Sequence, residues 1–230
     1  MYWPPQPGGK SEGAAGIYAF GGEAIPRKVQ LMGYQMKPSS SIAVRPRIWA
    51  KDLLLAFGFT ALMVVAARIR LHLPFTPVPV TMQTGAAILS GLILGSRLGA
   101  ISQLQYMALG LAGVPVFANP LSGPAALMSP SFGYIPGFAI GATLAGWSWQ
   151  KLGRRGLGNA TLAAAFGACA IYATGVPWLA GWYMVTSGWP ASVCVIQAWL
   201  QGLAPFLGAD AVKVAAAAAI AAGMSGRRAG

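Results

Sequence analysis

The feature that most constrains this sequence is the length of its uncharged stretches. No Asp, Glu, Lys or Arg occurs in the 53 residues between Arg97 and Lys151, or in the 54 residues between Arg155 and Asp210. A helix crosses the hydrocarbon core of a bilayer with roughly 20 apolar residues, so each stretch has room for two crossings and a turn. Only 9% of the residues are charged, whereas soluble domains carry about a quarter. The sequence therefore predicts an all-α integral membrane protein.

Six apolar segments predict six transmembrane helices. They cover roughly residues 50–70, 82–95, 97–116, 133–152, 158–179 and 204–223. Small residues such as Gly91, Gly141 and Gly146 recur within them, which lets helix backbones approach closely in lipid. We therefore expect one six-helix domain over residues 50–223. The Gly-, Pro- and Ser-rich segment 1–49 is predicted to be a disordered cytoplasmic tail, in which Met36 is a second candidate start, and residues 224–230 form a cytoplasmic C-terminal tail.

The positive residues predict the orientation of these helices. The predicted loops and tails of one face carry Lys37, Arg45, Arg47, Lys51, Arg97, Lys151, Arg154, Arg155, Arg227 and Arg228. The opposite face carries only Arg68, Arg70 and the single histidine, His72. Because Lys and Arg in short loops stay cytoplasmic, both termini are predicted to be cytoplasmic. The net charge of +12 is then explained by topology and does not indicate nucleic-acid binding.

The three connections on the opposite face differ in character. Residues 71–84, "LHLPFTPVPVTMQT", contain Pro74, Pro77 and Pro79, which disfavour a helix and favour an extended segment that we call the proline strap. The second connection is a Gly-, Pro- and Ser-rich loop before Tyr134. The third carries four tryptophans, for which an interfacial belt with a short helix is favoured over ligand stacking.

Asp210 and Lys213 stand out because they lie inside an otherwise apolar predicted helix. Each costs on the order of 3 kcal/mol at mid-bilayer, so the presence of both requires a compensating role. A spacing of three residues places them on one helical face, where they can pair. Charged residues in membranes often mark a substrate or ion path, and this pair offers an acceptor and a donor to a polar ligand. An ion pair that only fixes helix packing is the alternative. A proton relay is disfavoured, because His72 lies in a loop.

Three uncharged polar residues share the predicted outer location of Asp210. They are Gln83, Asn119 and Tyr134, and each has an alternative role in capping or turn formation. Together with Asp210 and Lys213 they predict an apolar pocket with a few convergent polar groups, which is typical of a small-molecule binding site.

The sequence predicts neither a metal site nor a cofactor. Cys169 and Cys194 lack CxxC spacing and are interpreted as small buried residues. The run "GGKSEG" at residues 8–13 lacks the first glycine of a phosphate loop, since Pro4 occupies that position. ATP hydrolysis by this chain is therefore not predicted.

Four ordered motifs resemble those of the BioY family, the biotin-binding S components of energy-coupling factor transporters. They are "FTPVPVTMQT" (75–84), "LGLAGVPVFAN" (109–119), "GYIPGF" (133–138) and "PFLGADAVK" (205–213). The resemblance covers residues 50 to about 223. It departs from the family at "SPSFGY", where Phe132 replaces a glycine, and in the first span, where small residues are not spaced regularly at four.

The resemblance implies a function as well as a fold. It implies capture of biotin from outside the plasma (inner) membrane of a prokaryote, without enzymatic chemistry. The energy would come from a separate transmembrane coupling subunit and two ATPase subunits. It also implies that the ureido ring is held by Asp210, Lys213 and Asn119, with Gln83 and the proline strap closing the pocket.

Other functions remain open from the sequence. An S component or facilitator for a different small vitamin would keep the architecture and change the pocket. An intramembrane enzyme would need further buried acids, histidines or a metal cluster, and the spans offer no such set. A structural scaffold is the third alternative. The sequence leaves undecided whether the chain works alone, as a homo-oligomer or with a coupling complex.

Overall fold

The computed structural model describes residues 49–119 and 121–226 of the 230-residue chain. Over these residues the chain forms seven α-helices, one 3-10 helix at Gly123–Met128 and two short strands. The helices are α1 (Ala50–Arg68), α2 (Gln83–Leu94), α3 (Ser96–Leu111), α4 (Tyr134–Lys151), α5 (Leu157–Thr186), α6 (Ala191–Gly202) and α7 (Leu207–Gly226). The predicted tail over 1–49 lies outside the described residues except for Trp49, and so do residues 227–230 of the predicted C-terminal tail.

The proline strap is extended, as the prolines predict. Its two ends pair as antiparallel strands of two residues each, β1 (Arg70–Leu71) and β2 (Val80–Thr81). The residues between the strands form no helix, and α2 begins at Gln83. The strap therefore crosses one end of the helix bundle and leads directly into a helix.

All six predicted segments contain a helix, and α6 is the short helix expected in the tryptophan-rich connection. Among the described residues, three helices are apolar and long enough to span a membrane, namely α1, α5 and α7. α2 is apolar but has 12 residues, which is roughly 18 Å of helix and shorter than a hydrocarbon core. The structure thus establishes a largely helical chain with membrane-spanning character in at least these three helices.

Three helix boundaries differ from the sequence prediction. α3 ends at Leu111 because Gly113 adopts a φ of +99°, which turns the chain back toward the bundle. α5 continues through Pro177 to Thr186, so that much of the third connection is helical. α7 begins at Leu207 and runs to Gly226, three residues later than predicted at each end.

The glycines of the predicted spans allow close contact between helix backbones, as expected. A Cβ on Gly91 of α2 would lie 2.1 Å from the carbonyl oxygen of Ala142 in α4. A Cβ on Gly146 would lie 2.4 Å from the backbone nitrogen of Ser96. Neither position has room for a side chain. Glycine at these positions therefore sets the spacing of α2 and α4.

The two ends of the bundle have different compositions. At one end, the turn at Gly95 between α2 and α3 lies against Gln150 and Arg154 at the end of α4. The other end consists of the proline strap, the connection from residue 112 to 133, the last turns of α5, and α6. We call it the loop end, and the candidate site lies there.

Candidate functional site

A cavity opens at the loop end between the proline strap, the 112–133 connection and helices α2 to α5 and α7. Its volume is about 50 Å³. Its walls are partly apolar, with Val78, Phe117, Ile135, Phe138 and Phe206. Its polar lining comprises Thr81, Gln83, Thr84, Tyr106, Asn119, Ser129, Ser131, Tyr134, Tyr172 and Asp210. Four of the five residues singled out from the sequence therefore line one cavity, and the fifth, Lys213, lies directly behind it.

Asp210 is the charged group of this cavity. It lies in the first turn of α7 and is 5% exposed. The Nζ of Lys213 lies 2.5 Å from Asp210 Oδ1, which confirms the pairing expected from their spacing. Lys213 Nζ also donates to the backbone oxygen of Thr81 at 2.6 Å. The lysine thus holds the carboxylate from one side and fastens the end of the proline strap. The helix dipole adds to this, because the first turn of a helix favours negative charge.

Tyr172 holds the other oxygen of the same carboxylate. Its hydroxyl donates to Asp210 Oδ2 at 2.5 Å, and its ring packs edge-on against Tyr134 with centroids 6.3 Å apart. Sequence reasoning missed this residue. The available signal was a phenol in the middle of an apolar helix, where a buried hydroxyl needs a partner. Asp210 is therefore oriented by one donor on each oxygen.

Asn119 belongs to a small polar cluster with two serines. Its Nδ2 donates to Ser129 Oγ at 2.6 Å and to Ser131 Oγ at 2.8 Å, so that both amide hydrogens are used within the 112–133 connection. The two serine oxygens lie 3.1 Å apart, so that one hydroxyl donates to the other. The cluster then has the Asn119 carbonyl oxygen and one serine hydroxyl hydrogen left to offer the cavity. Neither serine was singled out from the sequence.

Gln83 takes part in a second polar chain across the cavity wall. Its Nε2 donates to the hydroxyl of Tyr106 at 2.9 Å, and that hydroxyl donates to the backbone oxygen of Val116 at 3.2 Å. Both Gln83 and Tyr106 are buried. The second amide hydrogen of Gln83 remains free to donate into the cavity. The hydrogen bond to Tyr106 of α3 fixes the orientation of the Gln83 side chain.

Tyr134 contributes its ring rather than its hydroxyl to the cavity. The hydroxyl donates to the backbone oxygen of Gly202 at 2.7 Å and ties α4 to the end of α6. The ring lies on Gly175 of α5, where a Cβ would be 2.3 Å from ring carbons. Trp178, one of the four tryptophans of the third predicted connection, does not line the cavity. It packs on Phe132 at 5.4 Å and donates to the backbone oxygen of Ser129.

The cations of the loop end hold the loop that carries Asn119. The guanidinium of Arg68 donates to the backbone oxygen of Pro115, and that of Arg70 donates to the backbone oxygen of Ala118. On the other side of the cavity, Thr76 Oγ1 donates to the backbone oxygen of Gln201 at 2.7 Å. The strap and the 112–133 connection are therefore each attached to the bundle by identifiable hydrogen bonds.

Within the part of the chain that the structure describes, no three His, Cys, Asp or Glu side chains cluster in a way that could hold a metal ion. Both cysteines are free thiols. Cys194 is buried as expected, but the prediction that Cys169 is buried is wrong. Cys169 lies on an exposed face of α5, whereas Gly167 of the same helix lies against Gly141 of α4.

Comparison with known proteins gives consistent matches over most of the chain. The sequence model of the BioY family matches residues 35–229. The "Probable biotin transporter BioY" of Pyrococcus horikoshii is 37% identical over 177 residues, which cover 77% of this chain and 98% of that protein. The "Biotin transporter BioY" of Thermotoga maritima is 36% identical over 171 residues, covering 74% of this chain and 94% of the relative.

A solved structure also resembles the fold. The crystal structure described as the "S-component for biotin from an ECF-type ABC transporter" superposes with a TM-score of 0.64 at 24% identity. The match covers 76% of this chain and 90% of that chain. At this level of identity the likeness supports the fold.

Proposed function

The chain belongs to the BioY family, and from that premise we propose that it captures biotin outside a prokaryotic plasma membrane and delivers it inward. It acts by binding and reorientation, without catalysis. The observation that carries the proposal is the Asp210 carboxylate, which is almost fully buried, held by Lys213 and Tyr172, and faces a cavity with apolar walls. Each carboxylate oxygen keeps a lone pair for a ligand N–H, and ionisable residues inside a membrane typically mark a substrate or ion path.

The hydrogen-bonding groups of the cavity fit a ureido ring. A ureido group offers two N–H donors and one carbonyl acceptor. Asp210 accepts from one N–H, and the carbonyl oxygen of Asn119 accepts from the other, because its amide hydrogens already bind Ser129 and Ser131. The remaining serine hydroxyl hydrogen and the second amide hydrogen of Gln83 are the donors for the ureido carbonyl. Lys213 acts mainly through Asp210, since it lies behind the cavity.

The rest of the ligand contacts the apolar wall. The thiophane ring and valeryl chain pack against the ring of Tyr134 and against Phe117, Phe138 and Phe206. Burial of apolar surface contributes roughly 25 cal/mol per Å², so these contacts supply affinity while the polar groups supply orientation.

Entry of a ligand requires the proline strap to move. Ligand pockets typically have volumes of about 300 to 1,000 Å³, whereas this cavity has a volume of only about 50 Å³. Val78, Pro79 and Thr81 of the strap form part of the lining. Few bonds hold the strap, chiefly those from Thr76 to α6 and from Lys213 to Thr81. We therefore assign the strap as the gate.

The proposal includes a topology of six membrane crossings, in which α6 lies at the interface. The loop end faces outward and both termini are cytoplasmic, because the cations between the helices gather at the opposite end. The exposed apolar side chains of α1, such as Leu54, Phe57 and Val65, then contact lipid.

The energy for transport comes from an energy-coupling factor complex with a transmembrane coupling subunit and two ATPase subunits. A homo-oligomer is the alternative assembly.

Equilibrium binding of tritiated biotin to the purified full-length protein in detergent tests the proposal. We expect tight, saturable binding of one biotin per chain that unlabelled biotin displaces and that thiamine or riboflavin does not. No saturable biotin binding, together with tight binding of another vitamin, would instead support the alternative of an S component for that vitamin.

A further inference from the structure

The loop end carries positive charge that no acidic side chain balances. The part of the chain that the structure describes contains only two acidic residues, Asp52 and Asp210. Asp210 is already paired with Lys213 at 2.5 Å. Asp52 lies in the first turn of α1, whereas Arg68 lies in the last turn, roughly 24 Å of helix away. Arg68 and its neighbour Arg70 therefore have no carboxylate partner among the described residues.

Arg70 lies at the rim of the cavity. It pairs with Thr81 across the two strands of the strap, and its guanidinium donates to the backbone oxygen of Ala118. Both Thr81 and Ala118 line the cavity. The Arg70 side chain is exposed, and of the five N–H donors of its guanidinium the described residues take up one. A positive charge is thus fixed beside the mouth of the cavity, with donors to spare.

Arg68 adds a second fixed charge to the same connection. Its guanidinium donates to the backbone oxygen of Pro115, three residues before Ala118. A bond to a backbone oxygen requires a donor but no charge, because an amide side chain could also supply it. Positive residues are also disfavoured in outer loops. Support of the 112–133 connection therefore accounts for the hydrogen bonds of the two arginines but leaves their charge unexplained.

We propose that Arg68 and Arg70 make the mouth of the cavity selective for a ligand that carries a negative charge, which in biotin is the valerate carboxylate. The inference rests on the proposed function. Charges of one sign at a cleft with low-dielectric walls concentrate the electric field there and speed the arrival of ligands of the opposite sign. This attraction acts over several Å and requires no direct contact with the arginines. Because solvent screens charges at an exposed rim, the expected effect is several-fold.

The test compares biotin with biotinamide, in which a neutral carboxamide replaces the carboxylate. The ratio of the two dissociation constants is measured in a non-ionic detergent for wild type, Arg70→Gln, Arg70→Lys and Arg68→Gln/Arg70→Gln. We expect wild type to prefer biotin several-fold and the double variant to lose most of this preference. Arg70→Lys should keep it, because the charge remains. The control is Arg155→Gln, which removes an exposed charge between α4 and α5 and should leave the ratio unchanged.

Salt dependence provides a second measurement of the same effect. Raising the ionic strength from about 0.1 M to about 1 M shortens the Debye length from about 10 Å to about 3 Å. The association rate of biotin with the wild-type protein should therefore fall several-fold over this range, whereas that of biotinamide should change little. In Arg68→Gln/Arg70→Gln the two ligands should show the same weak dependence.

The opposite outcomes would overturn the inference. An equal loss of affinity for both ligands in the double variant would show that the arginines only hold the connection in place. A loss of preference in Arg70→Lys as large as in Arg70→Gln would assign the effect to guanidinium hydrogen bonds and not to charge. Equal binding of biotin and biotinamide by wild type would refute the selectivity but leave the proposed function intact. Failure of wild type to bind either ligand would overturn the proposed function itself.

Discussion

Lys213 Nζ lies 2.5 Å from Asp210 Oδ1, and both side chains are less than one tenth exposed. Removal of one partner from a buried ion pair leaves an unpaired charge and typically costs about 3–5 kcal/mol, whereas removal of both charges is often close to neutral. The single variants therefore report on the contribution of the pair to folding. The double variant, which should remain folded, reports on its contribution to binding.

The first prediction concerns the stability of this pair. Lys213→Met should lower the melting temperature of the detergent-solubilised protein markedly, because Asp210 then keeps its charge without its partner. The double variant Asp210→Asn/Lys213→Met should recover most of the loss. Thermal unfolding followed by tryptophan fluorescence measures both. A single variant as stable as wild type would contradict the assignment of a buried, charged pair.

The second prediction concerns Gly175, on which the Tyr134 ring lies. A Cβ at this position would be 2.3 Å from the ring, so Gly175→Ala must displace the ring and should weaken biotin binding. Gly181→Ala is the matched control, because it lies in the same helix and its Cβ would meet nothing within 4 Å. Binding titrations of the two variants provide the comparison. Equal affinities for both would refute the role of Tyr134 as a cavity wall.

The third prediction concerns the attachment of the proline strap. Thr76→Val removes the hydrogen bond from Oγ1 to the backbone oxygen of Gln201. If the strap is the gate, the dissociation rate of biotin should rise several-fold, while the melting temperature changes little. Thr161→Val is the control, because Thr161 is exposed and bonds only within its helix, to the oxygen of Leu157. Dissociation is followed by chase of tritiated biotin with unlabelled biotin, and an unchanged rate in Thr76→Val would argue against gating by the strap.

The fourth prediction concerns orientation in the membrane. A reporter that is active only outside the cytoplasm should give no signal when fused after Gly230. The same reporter inserted after Leu121, in the connection at the loop end, should be active. The positive-inside rule supplies the reason, since the helix connections at the other end carry Arg97, Lys151, Arg154 and Arg155. A strong signal from the C-terminal fusion would reverse the proposed topology.

Sequence patterns with a local physical cause predicted their structures well. The six apolar segments predicted the positions of six helices, the three prolines predicted the extended strap, and the three-residue spacing of Asp210 and Lys213 predicted the ion pair. In each case the interaction lies within a few residues of the chain. The helix ends were less predictable, because the turn at Gly113 and the continuation of α5 through Pro177 depend on packing.

The partners of the site residues could not be derived in the same way. Tyr172 lies 38 residues from Asp210, and its role depends on how α5 packs against α7. Ser129 and Ser131 are closer to Asn119 in sequence, but a serine-containing loop indicates a turn and does not indicate which hydroxyls meet the amide. Likewise, nothing in the local sequence indicated that the Tyr134 hydroxyl would donate to the backbone oxygen of Gly202 in α6. These contacts are products of tertiary structure.

The most direct test of the account is biotin binding by the charge-neutral double variant Asp210→Asn/Lys213→Met. Its control is Asp52→Asn/Lys51→Met, which removes one acidic and one basic side chain at the start of α1, where Lys51 is exposed and Asp52 is partly exposed. A charge-assisted hydrogen bond contributes about 1.5–3 kcal/mol, so the first variant should lose roughly 10- to 100-fold in affinity while remaining folded. The control should bind like wild type. Wild-type affinity in the folded Asp210→Asn/Lys213→Met protein would contradict the claim that this carboxylate holds the ligand.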